Sequence, residues 1–422
     1  MGESFDTVIV GGGQAGLAMS AHLLAAGVDH VVLERDRIAE SWRTRRWDSL
    51  VANGPAWHDR FPGFAFEGHA PESFIPKDQV AQYFEEMARS LDAPVRCELE
   101  VTRATPRAGQ PGFAVETSQG TIHATRLVAA TGAFQTPVIP PLVPETPAIT
   151  QLHSAAYRNA AALPEGAVLV VGSGSSGVQI AADLAKAGLT VTLSVGPHHR
   201  PPRRYRGLDY CWWLGVLGKW DAATVDPKTA HMTIAVSGAD GGHTVDFRAL
   251  AASGITLVGM TERADGTRLH FADDLAQNIR AGDANYLSVL DEADAYAARR
   301  GLALPEEPLA RVMLPDPPEM RDPIRALDLV EAGISTIIWA TGYKNDFSWL
   351  QVDTFDPAGQ PQHQRGVARE PGIYFLGLPW LSRRGSSFIW GVWHDAKYLA
   401  DQIVIQRGYE AYQGAAQPRA AE

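Results

Sequence analysis

The sequence predicts an α/β fold with two doubly wound, Rossmann-like sheets, and two internal repeats carry that prediction. A strand, a glycine-rich turn, a helix and a second strand follow one another over residues 7–33, and the same order returns over residues 168–193. An apolar strand that runs into Thr-Gly also occurs twice, at residues 131–132 and 341–342. Strands that alternate with helices build parallel sheets with helices on both faces. The repeat therefore predicts two domains of one architecture.

The first copy carries each part of a dinucleotide-binding turn. Its turn reads GGGQAG over residues 11–16, and a helix of small and apolar residues follows. Gly11 allows the tight turn, Gly13 lets the backbone approach a pyrophosphate, and Gly16 lets helix and strand pack closely. The helix N-terminus offers free N–H groups and a positive dipole end to the phosphates. Glu34, which closes the second strand, is placed to accept hydrogen bonds from a ribose.

The second copy differs where the ribose is recognised. Its turn reads GSGSSG over residues 172–177, and Ser194 stands where the first copy has Glu34. An acid at this position favours a free ribose 2′-hydroxyl, whereas its absence with arginine nearby suits a 2′-phosphate. Arg200 and Arg203 follow in a basic run, which we interpret as phosphate-binding because arginine makes bidentate phosphate contacts; a solvated loop is the alternative. We therefore assign FAD to the first copy and NADPH to the second.

Charge and cysteine content narrow the class of protein. The net charge of −11 gives no basic surface for nucleic acid, and no apolar run approaches the roughly 20 residues of a membrane span. Cys97 and Cys211 lie far apart, so we expect neither a disulfide framework nor a metal site. They fit a reducing cytoplasm. The aromatic segment 210–214 (YCWWL) is interpreted as interdomain or homodimer packing, with substrate contact as the alternative.

Together with the segment 153–158 (HSAAYR), these features resemble the flavin-containing monooxygenases, and most closely the CzcO-like flavoproteins and the YUCCA-type indole-3-pyruvate monooxygenases. The resemblance covers nearly the whole chain. It implies FAD and NADPH as cofactors, and a small organic substrate oxygenated by O2 through a C4a-hydroperoxyflavin. Pro147 and Ile149 stand where the family motif usually has Phe and Gly. This departure puts Baeyer–Villiger chemistry in doubt and leaves N- or S-oxygenation, or oxidative decarboxylation of a keto acid.

The resemblance also implies residue roles. Asn53 falls in an Asn-x-Pro loop like the one whose asparagine helps to stabilise the oxygenated flavin in the family; a plain turn residue is the alternative. The segment 41–43 (SWR) matches a Trp-Arg segment near the flavin. The expected cofactor contacts are Gly11, Gly13, Gln14, Ala15, Gly16, Glu34, Arg35, Ser41, Trp42, Arg43, Val101, Thr131, Gly132, Gly172, Ser173, Gly174, Ser175, Ser176, Gly177, Ser194, Arg200, Arg203, Thr341 and Gly342.

Three other functions share this architecture. A pyridine-nucleotide disulfide reductase needs a redox cysteine pair, which Cys97 and Cys211 do not supply. An NADPH oxidase or diaphorase that releases hydrogen peroxide, and a non-catalytic redox accessory linked to cation transport, remain as alternatives. In every case we expect an FAD-binding domain over residues 1–162 and 323–422, with an NADPH-binding domain inserted over residues 163–322.

Overall fold

Two sheets flanked by helices carry the two glycine-rich turns, as the α/β prediction requires. The computed structural model describes residues 3–223 and 233–416. In chain order its strands are β1 (Ser4–Val10), β2 (His30–Leu33), β3 (Val95–Arg96), β4 (Val101–Pro106), β5 (Phe113–Thr117), β6 (Gly120–Ala129), β7 (Thr136–Pro137), β8 (Thr150–His153), β9 (Ala167–Val171), β10 (Val191–Ser194), β11 (Arg204–Tyr205), β12 (Leu208–Asp209), β13 (Thr256–Val258), β14 (Thr261–Asp265), β15 (Arg268–Phe271), β16 (Ala326–Asp328), β17 (Ile334–Trp339), β18 (Tyr343–Lys344), β19 (His363–Gln364), β20 (Val367–Ala368) and β21 (Ile373–Phe375).

The helices alternate with these strands in both halves of the chain. Among the described helices, none is both long enough and apolar enough to cross a membrane. The α-helices are α1 (Gln14–Ala25), α2 (Glu40–Thr44), α3 (Lys77–Ser90), α4 (Ser175–Lys186), α5 (Tyr210–Val216), α6 (Phe247–Ala252), α7 (Leu275–Arg300) and α8 (Ile389–Ala416).

The first sheet has a parallel centre and an antiparallel extension. Its strand order is β19-β20-β21-β6-β1-β2-β3, and β4 and β5 join it through β6. Strands β21, β6, β1, β2 and β3 run parallel. All four residues of β2 and the last four of β1 are buried, as expected for strands covered on both faces. The carboxyl ends of β1 and β2 place the first turn and Glu34 at one edge of the sheet.

The second sheet corrects the predicted domain bounds. It has five parallel strands in the order β13-β10-β9-β17-β8. Strands β8 and β17 lie outside residues 163–322, in parts of the chain that the sequence-based division assigned to the FAD-binding domain. The bounds at 162/163 and 322/323 therefore cut through this sheet. Short strands carry no sequence signal for which of two sheets they will join, because pairing is decided by tertiary contacts.

A histidine between α1 and α8 makes the fold sensitive to acid. His22 Nε2 lies 3.1 Å from the carbonyl oxygen of Trp393, and burial lowers the His22 pKa to about 4. The unfolded chain, with an ordinary histidine pKa of about 6.5, binds this proton earlier than the folded chain. The free energy of unfolding should therefore fall as the pH drops from about 6.5 towards 4. Denaturant titrations should show a shallower fall for His22→Gln, and no change in the fall for the exposed control His243→Gln.

Candidate nucleotide-binding and active site

The two turns have the same geometry at their first glycine. Gly11 has a φ of +115° and Gly172 a φ of +123°, which L side chains rarely adopt. A Cβ on Gly11 would lie 2.6 Å from the carbonyl oxygen of Ala130, and a Cβ on Gly172 would lie 2.5 Å from that of Ala340. Each turn is thus pressed against the strand that ends in Ala-Thr-Gly, β6 in the first sheet and β17 in the second. The internal repeat is therefore a repeat of structure.

The later glycines of the two turns lie in different surroundings, since some are closely packed and one faces open space. A Cβ on Gly16 would lie 1.9 Å from the Gly11 carbonyl oxygen, and a Cβ on Gly177 would lie 1.8 Å from that of Gly172. By contrast, a Cβ on Gly13 would meet nothing within 4 Å. Gly13 is therefore the open position beside the N-terminus of α1. This combination fits a pyrophosphate approaching the backbone, as FAD requires.

Glu34 lies against the first turn. Its Oε2 accepts a hydrogen bond from the Gly12 backbone N–H at 2.6 Å, and its Oε1 accepts one from the Asp36 N–H at 2.9 Å. Both bonds fix the carboxylate at the end of β2. A carboxylate held there retains further acceptor positions for a ribose hydroxyl.

The second turn carries more internal hydrogen bonds. Ser173 Oγ donates to the Gly196 carbonyl at 3.0 Å, while the backbone N–H and the hydroxyl of Ser175 both donate to the Ile234 carbonyl at 2.9 Å. The Ser175 amide is thus not one of the free donors at the N-terminus of α4, unlike the expectation for a phosphate contact. Ser176 follows on the same turn and is partly exposed. Ser194 is buried at the end of β10, where its hydroxyl donates to the Gly259 carbonyl at 2.9 Å.

Arg200 and Arg203 are not the exposed phosphate ligands that the sequence suggests. Arg200 is only 2% exposed, and its Nη2 lies 2.6 Å from Asp283 Oδ1. Arg203 is 3% exposed and its Nη2 lies 2.5 Å from Asp209 Oδ1. Buried charges need partners. Asp283 lies 83 positions from Arg200 in the chain, and Asp209 lies 6 positions from Arg203, and the fold brings each carboxylate to its arginine. The sequence of a basic segment does not show which carboxylates will form ion pairs with its arginines in the folded chain.

The two Ala-Thr-Gly segments lie directly after β6 and β17, where the chain leaves the first and the second sheet. Thr131 Oγ1 accepts a hydrogen bond from Gln135 at 2.9 Å, and Thr341 Oγ1 donates to the Val138 carbonyl at 2.5 Å. Gly132 and Gly342 both have positive φ angles. His153 Nδ1 accepts the Ala155 N–H, so its Nε2 donates to the Gly342 carbonyl at 3.0 Å. Burial lowers the His153 pKa, which favours this neutral form.

The remaining predicted contacts are spread along the edge of the first sheet. Gln14 Nε2 donates to the Ser387 carbonyl at 2.8 Å, which joins α1 to the segment before α8. Arg35 is half-exposed beside Asp36, and Arg43 Nη2 lies 2.6 Å from Glu85 Oε1. The other members of the set are Ala15, buried in α1, Ser41 and Trp42, exposed and half-buried in α2, and Val101, half-buried at the start of β4.

Asn53 lies between the two halves of the structure. Its Oδ1 accepts a hydrogen bond from Gln179 Nε2 at 2.9 Å, and its backbone carbonyl accepts one from Arg203 Nη1 at 2.6 Å. The next residue, Gly54, donates its N–H to Asp59 Oδ2 at 2.9 Å. Sequence reasoning missed Gln179 and Asp59. Gln179 could have been noticed as a lone amide in the largely apolar helix that follows the second turn.

An aromatic cluster packs close to the Asn53 loop. His58 stacks on Trp220 and Trp390, with ring centroids 4.9 and 5.6 Å apart, and its Nδ1 lies 2.8 Å from Asp59 Oδ1. Tyr210 belongs to the same apolar cluster. Segment 210–214 therefore packs against residues from both ends of the chain, which supports its interpretation as interdomain packing.

Comparison with known proteins agrees with this architecture. The family profile described as "Pyridine nucleotide-disulphide oxidoreductase" matches residues 8–206. A protein from Geobacillus kaustophilus described as "Uncharacterized oxidoreductase CzcO-like" is 31% identical over 403 residues, covering 94% of this chain and 98% of its own. This chain belongs to the CzcO-like oxidoreductase family.

Two further similarities extend across almost the whole chain. The indole-3-pyruvate monooxygenase YUCCA1 of Oryza sativa subsp. japonica is 27% identical and covers 94% of this chain and 91% of its own. The structure of a flavin-containing monooxygenase from Stenotrophomonas maltophilia matches with a TM-score of 0.66 at 20% identity, covering 96% of this chain and 99% of that one. The predicted class of flavoprotein oxidoreductase, with FAD and NADPH as the cofactors of its family, is confirmed.

The cysteines separate this chain from a disulfide reductase. Cys97 is exposed, whereas Cys211 is buried beside Arg203. Burial raises the pKa of the Cys211 thiol well above its ordinary value. A thiol with a raised pKa is a poor nucleophile near neutral pH because the thiolate is the reactive form. Cys97 and Cys211 are both free thiols and do not form the redox cysteine pair that a dithiol reaction needs.

Proposed function

We propose that this protein is an FAD- and NADPH-dependent monooxygenase that oxygenates a small organic substrate. The reaction class is N- or S-oxygenation, or oxidative decarboxylation of a keto acid. NADPH supplies two electrons, one oxygen atom of O2 enters the substrate, and the other leaves as water. The resemblance of Asn53 and its loop to the active-site loop of the family supports the proposal.

The contact of the Asn53 side chain with α4, the helix that follows the second glycine-rich turn, carries the proposal. Its side chain is bonded to α4 of the second sheet, and its own loop follows α2 of the first sheet. A side-chain amide at such a junction can donate hydrogen bonds to a developing negative charge. An oxidase that only releases peroxide has no need of such a donor, because its product forms without protection of a reactive oxygen.

The chain's own residues would bind and orient the two cofactors and would keep water away from the reacting atoms. Gly13 and the N-terminus of α1 would hold the FAD pyrophosphate, and Glu34 would accept from a ribose. The second turn, over residues 172–177, would hold NADPH, with Gly174 as the N-cap of α4. FAD, when bound, supplies the redox chemistry with O2. Asn53 would donate through Nδ2 at the flavin, and the aromatic cluster around His58 would keep water from the reacting oxygen.

Turnover with candidate substrates tests the proposal against its alternatives. The FAD-loaded protein would be supplied with NADPH and isotopically heavy O2, with a tertiary amine, a thioether or a keto acid. A monooxygenase should put one heavy oxygen atom into one of these classes and release correspondingly less hydrogen peroxide. Peroxide equal to NADPH consumed with all three classes would instead identify an oxidase. NADPH that is not consumed at all would favour the redox accessory.

A further inference from the structure

We propose that Gln179 is a positioning residue for Asn53, so that the second nucleotide-binding domain sets the orientation of the Asn53 amide. Gln179 lies on α4, two residues after Gly177. Its Nε2 donates to Asn53 Oδ1 at 2.9 Å and to the Val236 carbonyl at 2.7 Å. Both hydrogens of this amide are therefore used, and the amide cannot turn over without losing both bonds. The inference rests on the proposed role of Asn53 at the flavin.

The bond from Gln179 decides which end of the Asn53 amide is free to donate. Because Asn53 Oδ1 accepts from Gln179, the Nδ2 hydrogens are the groups left for another partner. An inverted Asn53 amide would bring its Nδ2 donor against the Nε2 donor of Gln179, which is unfavourable. Hydrogen-bond donors, and not acceptors, stabilise a negatively charged oxygen. Gln179 thus selects the orientation that the proposed function requires.

The backbone around Asn53 is held by different residues. Arg203 Nη1 donates to the Asn53 carbonyl at 2.6 Å, and Asp59 Oδ2 accepts from the Gly54 N–H at 2.9 Å. Arg203 is itself fixed by its buried ion pair with Asp209. Removing the Gln179 amide should therefore free the Asn53 side chain while leaving the loop in place. This separation makes the role of Gln179 testable.

The location of Gln179 also connects nucleotide binding with the Asn53 amide. The helix N-terminus that would meet the NADPH phosphates and the side chain that orients Asn53 belong to the first turns of one helix, α4.

The test is a double-mutant cycle with Gln179→Met, Asn53→Ala and the double variant, all loaded with FAD. Met keeps the length of the side chain and removes the donor. After reduction by NADPH and mixing with O2, we measure the interval between O2 uptake and the return of oxidised-flavin absorbance. Loss of one hydrogen bond should shorten this interval about fivefold in Gln179→Met. The double variant should behave as Asn53→Ala alone, because Gln179 acts through Asn53.

Two further readouts exclude a merely structural effect. The rate of flavin reduction by NADPH and the Kd for NADP+ should stay at wild-type values in Gln179→Met. The free energies of unfolding of the FAD-loaded variants should also be non-additive in the same cycle, which does not depend on turnover. Gln82→Met, on the exposed side of α3, is the matched control and should change none of these quantities.

The outcomes separate the inference from the function on which it rests. If Asn53→Ala shortens the interval and Gln179→Met does not, the role of Gln179 is refuted while the proposed function stands. If Gln179→Met shortens the interval further in the Asn53→Ala background, Gln179 acts by another route and the inference is wrong. If Asn53→Ala leaves the interval unchanged, the premise about Asn53 fails and the inference falls with it.

Discussion

Gly16→Ala should abolish retention of FAD, whereas Gly177→Ala should keep FAD and slow the reduction of the flavin by NADPH. The added methyl group would lie 1.9 Å from the Gly11 carbonyl oxygen in the first case and 1.8 Å from that of Gly172 in the second. Both are contacts with backbone, so the turn itself must move. Overpacking of this kind costs about 1–3 kcal/mol, and we expect NADPH-driven reduction to slow about ten- to hundredfold in Gly177→Ala.

Three measurements check this pair of variants. The absorbance of bound flavin after gel filtration reports FAD retention, stopped-flow absorbance reports reduction by NADPH, and circular dichroism confirms that each variant is folded. Gly408→Ala is the control, since a Cβ there meets nothing within 4 Å on an exposed part of α8. Loss of FAD from Gly177→Ala with normal retention in Gly16→Ala would reverse the assignment of the two turns.

Arg203→Met should destabilise the fold by about 3–5 kcal/mol, because it leaves the carboxylate of Asp209 buried without its cation. Asp209 Oδ1 also accepts the Cys211 N–H at 2.8 Å, and the side chain is 1% exposed. The double variant Arg203→Met/Asp209→Asn removes the stranded charge and keeps an N-cap acceptor for α5. It should recover most of the lost stability. The free energy of unfolding in urea is the measurement.

The same variants decide between a structural and a nucleotide-binding role for the basic run. Arg204→Met, on the exposed neighbour, should change the free energy of unfolding by less than about 0.5 kcal/mol. If Arg203 instead bound the 2′-phosphate, Arg203→Met would weaken NADPH binding with no loss of stability, and Asp209→Asn would rescue nothing. That pattern would contradict the buried ion pair.

The parts of the fold that follow local rules could be predicted from the sequence. Both glycine-rich turns with their flanking strands and helices, and the position of Glu34 at the end of the second strand, follow from spacing, because each is set within a short segment of the chain. The close approach of Gly11 to Ala130 could not be predicted, because the two residues lie 119 positions apart in the chain. Local geometry and repetition therefore carried most of the prediction.

The errors arose where distant segments choose their partners. Strands β8 and β17 join the second sheet although the sequence placed them with the first, because a strand of four to six residues carries no feature that determines which strand it pairs with. Arg200 and Arg203 turn inward because Asp283 and Asp209 reach them in the folded chain. The contact of Gln179 with Asn53 could not be predicted, because the two residues lie 126 positions apart in the chain.

Protection of a reactive oxygen, instead of its release as peroxide, distinguishes the proposed monooxygenase from an oxidase. The most direct measurement reduces the FAD-loaded protein with NADPH in the absence of O2, mixes it with O2-containing buffer, and follows O2 uptake, flavin absorbance and peroxide together. A monooxygenase should take up O2 at once, while oxidised-flavin absorbance and peroxide return only after seconds or longer. Immediate return of oxidised flavin, with peroxide equal to the O2 consumed, would contradict a monooxygenase function and identify an oxidase.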